Sequence, residues 1–403
     1  MTVSLNAIPS PSYIDRELSA NLDSTDAFEG PEKLLEIWFY KNSSCVPDNA
    51  KTLRSIDFST WVRLLQLVKC QVLSMKQTEK MNAFLLSESS LFVFDHKLTL
   101  KTCGTTTTLF CLEELFRVVK EHLDWNFCQK GKVNPYKVFY SRRCFMFPKK
   151  QQGIHQNWDD ETQYLNKFFS NGKSYLVGRL GQANHWSLYV TETNRDLDGQ
   201  DENFDGSEED DDENDDDDDD ETLEMLMTGL TPSRASQFVT TREPGQPVES
   251  DTDDEGHVLG AQVTEDTQLD RIYDNVEGVS FQQDAFAFTP CGYSANVVMD
   301  QEYYYTLHVT PEDGWSYASF ESNVPVTKVS GGTQDNIAVM ERVLQVFGPS
   351  DFCLTFFSRR SHNDNFAKLK KLTDRVSNYT RKDKIVYQLD DYHLLYLRFE
   401  RNN

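Results

Sequence analysis

Two short apolar runs, residues 83–86 and 91–94, flank the polar quartet Ser87-Glu88-Ser89-Ser90. Apolar runs of this length bounded by turn residues read as buried strands. Two buried strands joined this closely commit this part of the chain to a sheet. The polar kink between them is the unusual feature. Serine is a common occupant of tight turns, and no spacing rule makes Glu-Ser-Ser a catalytic signature by itself.

The residues around this hairpin extend the pattern. Residues 32–39 are ambiguous between helix and strand; read with period two, Glu32, Leu34, Glu36 and Trp38 share one face and Leu35, Ile37 and Phe39 the other. Apolar groups on both faces suit a sheet covered on both sides. Helical spacing is expected over 58–69 through Trp61, Leu64, Leu65 and Val68, over 109–123 through Leu112, Leu115, Phe116 and Val119, and over 158–169. Strands are expected at 72–74, 83–86, 90–94, 137–140, 175–177 and 186–191. The carboxy-terminal part repeats this grammar, with strands at 285–288, 304–309, 317–320, 353–357, 385–389 and 394–399. Its helices are expected at 334–347 and near 364–372. Antiparallel strand clusters with helices outside give an α+β sandwich. The letters of the two halves do not repeat convincingly.

Charge is concentrated rather than spread. Residues 196–224 hold 19 acids and no Lys, Arg or His, against a net charge of −25 for all 403 residues. The remainder is only mildly acidic and offers no electrostatic footprint for nucleic acid. Residues 196–219, and a second polar stretch at 240–268, read as disordered insertions, because packed like charges repel. The stretch 222–230 between them reads as a strand or turn tied back onto the body. No basic, apolar leader opens the chain and no 18-residue apolar run occurs, so neither secretion nor a membrane span is expected. Eight cysteines without a C-x-x-C pair indicate neither a zinc site nor a disulfide framework. A reduced, cytosolic protein is the expectation. Asn171-Gly172-Lys173-Ser174 lacks the first glycine of a phosphate loop, and Gly292-Tyr293-Ser294-Ala295 lacks the second glycine of a nucleophile elbow.

LSESSLFVFDHK (86–97) followed by KTCGTTTT (101–108) resembles the eukaryotic S-adenosylmethionine decarboxylase proenzymes, the fungal ones above all. The resemblance continues through FEGPEKLLEIWF (28–39), FYSRR (139–143), FTPCGYS (288–294), LHVTPE (307–312) and SYASFESN (316–323). It covers most of the chain outside the first twenty-odd residues and about 195–280. It implies a four-layer αββα sandwich of two similar halves, forming one domain over 1–403. It also implies self-cleavage at the Glu88-Ser89 bond into a β chain, 1–88, and an α chain, 89–403. Ser89 would become a pyruvoyl group, which binds the substrate amine as an imine and replaces pyridoxal phosphate as electron sink. No metal is implied.

The same resemblance assigns roles residue by residue. His308 and Ser294 match the processing pair, a positioned base being worth about 10²–10⁴ in rate. Cys103 matches the proton donor to the decarboxylated carbon, while Cys70, Cys111 and Cys353 read as small buried hydrophobes. Glu29 and Glu32 match the catalytic acids. Phe28 and Phe288 match the pair that stacks on adenine, Glu312 the acid that holds the ribose, and Glu88 a further wall of the substrate pocket. Glu36, Asp220, Thr222, Glu224 and Glu321 match a buried acidic site for the activating diamine putrescine. The implied partners are S-adenosylmethionine, the cleaved β chain and a second α–β pair in a homodimer. The implied product, decarboxylated S-adenosylmethionine, is the aminopropyl donor for spermidine and spermine. Two other classes stay open: an inactive relative that regulates an active partner, and an interaction protein whose acidic tract binds basic partners.

Overall fold

The computed structural model describes residues 12–14, 29–47, 50–87, 89–129, 131–179, 185–197, 220–240, 255–273, 276, 278–359, 364–372 and 374–402. Its elements in the first half are β1 (Ser12–Ile14), β2 (Lys33–Trp38), α1 (Phe58–Leu67), β3 (Val72–Gln77), β4 (Met81–Leu86), β5 (Ser89–Phe94) and β6 (Lys97–Thr102). There follow α2 (Leu112–Leu123), the small pair β7 (Cys128–Gln129) and β8 (Lys132–Val133), β9 (Lys137–Arg143), α3 (Trp158–Phe168), β10 (Gly172–Val177) and β11 (Trp186–Thr191). The second half holds β12 (Glu221–Thr228), α4 (Glu255–Thr267), β13 (Phe281–Ala287), β14 (Tyr293–Met299), β15 (Tyr303–Thr310) and β16 (Tyr317–Ser322). It closes with α5 (Asn336–Phe347), β17 (Asp351–Arg359), α6 (Asp364–Lys370), β18 (Arg375–Val376), β19 (Tyr379–Leu389) and β20 (Tyr392–Arg401).

Two nine-stranded antiparallel sheets result, ordered β1-β3-β4-β5-β6-β2-β9-β11-β10 and β13-β14-β15-β16-β12-β17-β20-β19-β18. In each, a four-strand meander is followed by the first long strand of its half, β2 or β12, inserted before β9 or β17. The two similar halves are thus present in topology although not in letters. Alternation along the strands makes the layers. Leu35 and Ile37 of β2 point outward into one core with Trp61, Leu115 and Leu165 from α1, α2 and α3. Met225, Leu307 and Phe320 do the same with Val339, Phe347 and Leu369 from α5 and α6. The helices are sharply started: Asp57 accepts the Thr60 N–H at 3.0 Å before α1, and Asp335 accepts those of Ile337 and Ala338 before α5. The inner faces meet through three smaller apolar clusters, one built on Phe92 stacked against Tyr304 at 3.8 Å. This is the expected αββα sandwich. Among the described residues no helix is long and apolar enough to cross a membrane.

The reading of 240–268 as a disordered insertion needs correcting. Residues 241–254 lie outside the described residues, but α4 covers Glu255–Thr267 and buries His257, Val263, Thr264 and Thr267. Glycine lets this polar-looking helix lie flat on β13. A Cβ at Gly260 would stand 2.5 Å from the Ala285 carbonyl, and one at Gly256 2.3 Å from the Phe286 ring. Among the strands unassigned from sequence, β6 and β14 carry residues of the site below. Of the acidic insertion, Arg195–Leu197 forms a single 3-10 turn, and 198–219 lie outside the described residues.

Candidate active site

Leu86 pairs with Ser89 across β4 and β5. Ser89 takes φ +125°, a region that side chains with a Cβ avoid, and strain of this kind concentrates at functional sites. The side chain is 1% exposed. Its Oγ lies 3.0 Å from Nε2 of His308, which comes from β15 in the opposite sheet.

The surrounding hydroxyls define which atom gives the proton. Ser90 Oγ donates to Asn296 Oδ1 at 2.6 Å, and Thr306 Oγ1 has Ala295 O and Asn296 Oδ1 as acceptors at 3.0 Å each. Both oxygens also approach His308 Nε2, at 3.2 and 2.9 Å, but their protons are committed to those acceptors. The Ser89 hydroxyl is the one left to donate to Nε2. Nδ1 then carries the ring proton and donates to Ser294 Oγ at 2.9 Å. Burial, with the Lys101 charge second, holds the imidazole well below its ordinary pKa and therefore neutral. Ser89, His308 and Ser294 form one hydrogen-bonded series across the two sheets, an arrangement able to activate the Ser89 hydroxyl.

Pairing of Ser89 with Thr102 on β6 puts Cys103 one residue beyond the serine's neighbour. Cys103 is buried, its carbonyl accepting from Thr106 Oγ1 at 2.7 Å. Glu29 is tied to the same turn, its carbonyl accepting the Gly104 N–H at 2.9 Å. The Glu29 carboxylate accepts the N–H groups of Met146 and Phe147 at 2.7 and 2.6 Å, yet burial still raises its pKa. Glu32 reaches across the sheets to the hydroxyls of Tyr317 and Ser319, at 2.9 and 2.6 Å. Burial pushes it up to about 7 against the pull of Lys101. Phe288 packs edge-on against Phe286 at 4.8 Å just past β13. Glu312 follows β15 and bears on Cys291, whose thiol is raised by burial and then by that carboxylate. Phe28 and Glu88 lie outside the described residues. Cys70, Cys111 and Cys353 are buried, as the sequence suggested.

The five residues matched to a diamine site fall into two groups. Glu36, Asp220 and Thr222 line one narrow cavity with Leu34, Phe139, Ser141, Leu188, Phe357 and Tyr392. Tyr392 donates to Asp220 at 2.5 Å. Glu224 and Glu321 sit directly opposite each other on β12 and β16, held together by Lys101 at 3.1 and 2.7 Å. Burial and the Asp220 and Glu321 charges raise Glu36, while Lys97 opposes them. Glu224 is likewise raised by burial. Lys101, Ser90, Asn296 and Thr306 were all missed by sequence reasoning. Period two along 97–102 was the available signal. It places Lys97, Thr99 and Lys101 on one face, so a strand there would have put a lysine between the sheets.

A family model described as adenosylmethionine decarboxylase matches residues 25–400. The S-adenosylmethionine decarboxylase proenzyme of Saccharomyces cerevisiae is 56% identical over 407 residues, covering 100% of both chains. That of Xenopus laevis is 32% identical over 374 residues, 93% of this chain and 95% of its own. In fold, the chain is similar to the crystal structure of a Trypanosoma brucei AdoMetDC-delta26 monomer, with TM-score 0.51 and 21% identity, covering 78% of this chain and 99% of that one.

Proposed function

The chain belongs to the adenosylmethionine decarboxylase family, made as a proenzyme that decarboxylates S-adenosylmethionine, and from that premise we propose that Ser89 and His308 form its self-processing pair. The observation that carries this is the 3.0 Å contact between Ser89 Oγ and His308 Nε2. Neutral His308 takes the hydroxyl proton as Ser89 Oγ attacks the Glu88 carbonyl. The peptide C–N bond breaks, an ester forms, and the proton goes to the freed Ser89 nitrogen. The same imidazole then removes the Ser89 α-proton, and the ester C–O bond breaks to release 1–88 with a carboxylate at Glu88. Loss of ammonia to water leaves a pyruvoyl group on the new terminus at 89. The strained φ of Ser89 favours the rearrangement, because the new linkage no longer requires that torsion.

The pyruvoyl group, once formed, supplies the electron sink for decarboxylation. The chain's own residues do the rest. Cys103, beside Ser89 through the β5–β6 pairing, returns a proton to the substrate carbon. Glu29 and Glu32 keep raised carboxyl groups at the pocket, and Phe288, Phe28 and Glu312 hold the nucleoside end. The cut pieces stay together, because β2 of the β chain lies between β6 and β9 of the α chain.

A diamine occupies the cavity at Glu36, Asp220 and Thr222 as an activator. The raised carboxyl of Glu36 supports this reading, since a dication there offsets the cost of buried like charges. Its effect reaches the reaction through Lys101, which joins Glu224 and Glu321 and bears on both Glu32 and His308.

His308→Ala is expected to slow processing by about 10²–10⁴, leaving an uncut chain on a denaturing gel. Cleavage at the wild-type rate would remove His308 from the mechanism. Putrescine is expected to raise wild-type activity at sub-saturating S-adenosylmethionine and to have no effect on Glu224→Gln. Equal wild-type activity with and without putrescine would remove the activator site alone.

A further inference from the structure

Lys33 on β2 has no exposed surface, and among the described residues no carboxylate lies within ion-pair distance of it. A buried cation without such a partner is costly, and a methionine of similar length would fill the space without that cost. The ammonium instead donates to Gly104 O at 3.3 Å and to Gln151 Oε1 at 3.2 Å, and lies 4.9 Å from the centre of the Phe145 ring. Gln151 Nε2 donates to the same Gly104 carbonyl at 3.1 Å. Gly104 adopts φ +61°, and its N–H is held by the Glu29 carbonyl at 2.9 Å. The turn carrying Cys103 is therefore gripped on both of its backbone polar groups.

The charged and titratable groups that bear on Lys33 are Glu161, Cys103, Arg142 and Glu29. Glu161 is already engaged by Arg142 at 2.6 Å, His155 at 2.7 Å and Tyr140 at 2.6 Å, so it belongs to a separate cluster. The Glu29 carboxylate is held by two backbone N–H groups. The hydrogen bond of Lys33 to Gly104 O, one residue past Cys103, makes that thiol the neighbour the geometry singles out. Burial lowers the ammonium to about 8, so it remains mostly charged at neutral pH.

We propose that Lys33 is a positioning residue for Cys103, fixing the Cys103–Gly104 turn and holding positive charge beside the sulfur while it gives up its proton. The inference rests on Cys103 being the proton donor. In that step the Cys103 S–H bond breaks and the proton forms a C–H bond at the decarboxylated carbon of the substrate. The electron pair stays on sulfur, and solvent reprotonates the thiolate before the next turnover. A cation beside the sulfur stabilises that thiolate and lowers the thiol pKa.

The test is the pH dependence of Cys103 alkylation by iodoacetamide in the processed full-length enzyme, read by peptide mass spectrometry. Lys33→Met should move the half-maximal alkylation pH up by about one unit and lower the rate at pH 7 about tenfold. Lys33→Arg, and Gln151→Met, which removes the other Gly104 donor but keeps the charge, should retain the wild-type profile. Lys33→Met should also lower kcat more than it changes KM. An unchanged alkylation profile in Lys33→Met overturns the proposal, whatever happens to activity. Where Lys33→Met yields no processed enzyme, the wild-type profile decides. Half-alkylation below the ordinary thiol value of about 8.5 supports the proposal, and at or above it overturns it. Failure of the donor reading is separately visible, as normal turnover and normal product from Cys103→Ala.

Discussion

The two halves share one plan and divide the chemistry between them. The first runs β2, α1, a β3–β6 meander, α2, β9, α3, then β10 and β11; the second runs β12, α4, a β13–β16 meander, α5, β17, α6, then β19 and β20. The third meander strand of one half opens with Ser89, and that of the other carries His308. The fourth strands contribute Lys101 and Glu321, which meet at 2.7 Å. The inserted strands contribute Glu36 and Glu224. The matching third and fourth meander strands thus supply complementary groups, hydroxyl against imidazole and cation against anion, while the inserted strands both bring carboxylates. A site built this way exists only where the two inner faces meet. The proposed cut between β4 and β5 would interrupt one meander and leave both sheets hydrogen-bonded.

The largest effect should come from removing the charge that joins the halves. Lys101→Met leaves Glu224, Glu321 and Glu32 without their buried cation and should cost about 3–5 kcal/mol in denaturant unfolding. A loss within experimental error would mean that the apolar clusters alone hold the sheets together. Glu32 gives a smaller, pH-dependent effect. Its folded pKa, about 7, lies above the ordinary value of 4.5, so the folded state binds more protons than the unfolded one between those values. Stability therefore falls as pH rises through that window, and the loss is complete above it. Glu32→Gln should flatten this slope and gain up to about 3 kcal/mol over the wild type at pH 8 relative to pH 5. Parallel melting curves against pH would contradict the assignment.

The smaller effects separate the two polar stretches of the second half. Gly260→Val drives a side chain into the Ala285 backbone, so α4 should loosen at a cost of about 1–3 kcal/mol. Deleting 199–217 should change stability by less than about 0.5 kcal/mol and spare activity, as surface insertions are tolerated. Comparable losses from both changes would erase the distinction between them.

The same comparison shows what was legible in the sequence. Strong apolar patterning gave β5, α1, α2, α3 and α5 nearly to their ends, because burial writes itself into the letters, while β2 stayed ambiguous between helix and strand. The sandwich followed from those elements, and the blocks around Ser89, Cys103 and His308 pointed to the site. Helix α4 was not legible locally. Thr, Gly, Asp and Glu dominate it, and its packing depends on two glycines whose use appears only against β13. The repeat would have supplied it, since α1 occupies the matching place between β2 and β3. Strand β6 was hidden because Lys97, Thr99 and Lys101 look like a solvated face. They look inward here, where Glu36 of the same sheet meets Lys97 and Thr99, and Glu224 and Glu321 of the second sheet meet Lys101. The period of two was present along 97–102, but a polar face reads as solvated until a second sheet is known to cover it.

The central claim is that the two halves together cut the chain at Ser89. An intact-mass spectrum of the purified protein, beside Ser89→Ala, tests it most directly. Two chains are predicted for the wild type, 1–88 ending in a carboxylate and 89–403 beginning with pyruvoyl, against one uncut 46.5 kDa chain for the variant. A wild type that remains one chain, or a Ser89→Ala protein cut at the same bond, would contradict the account.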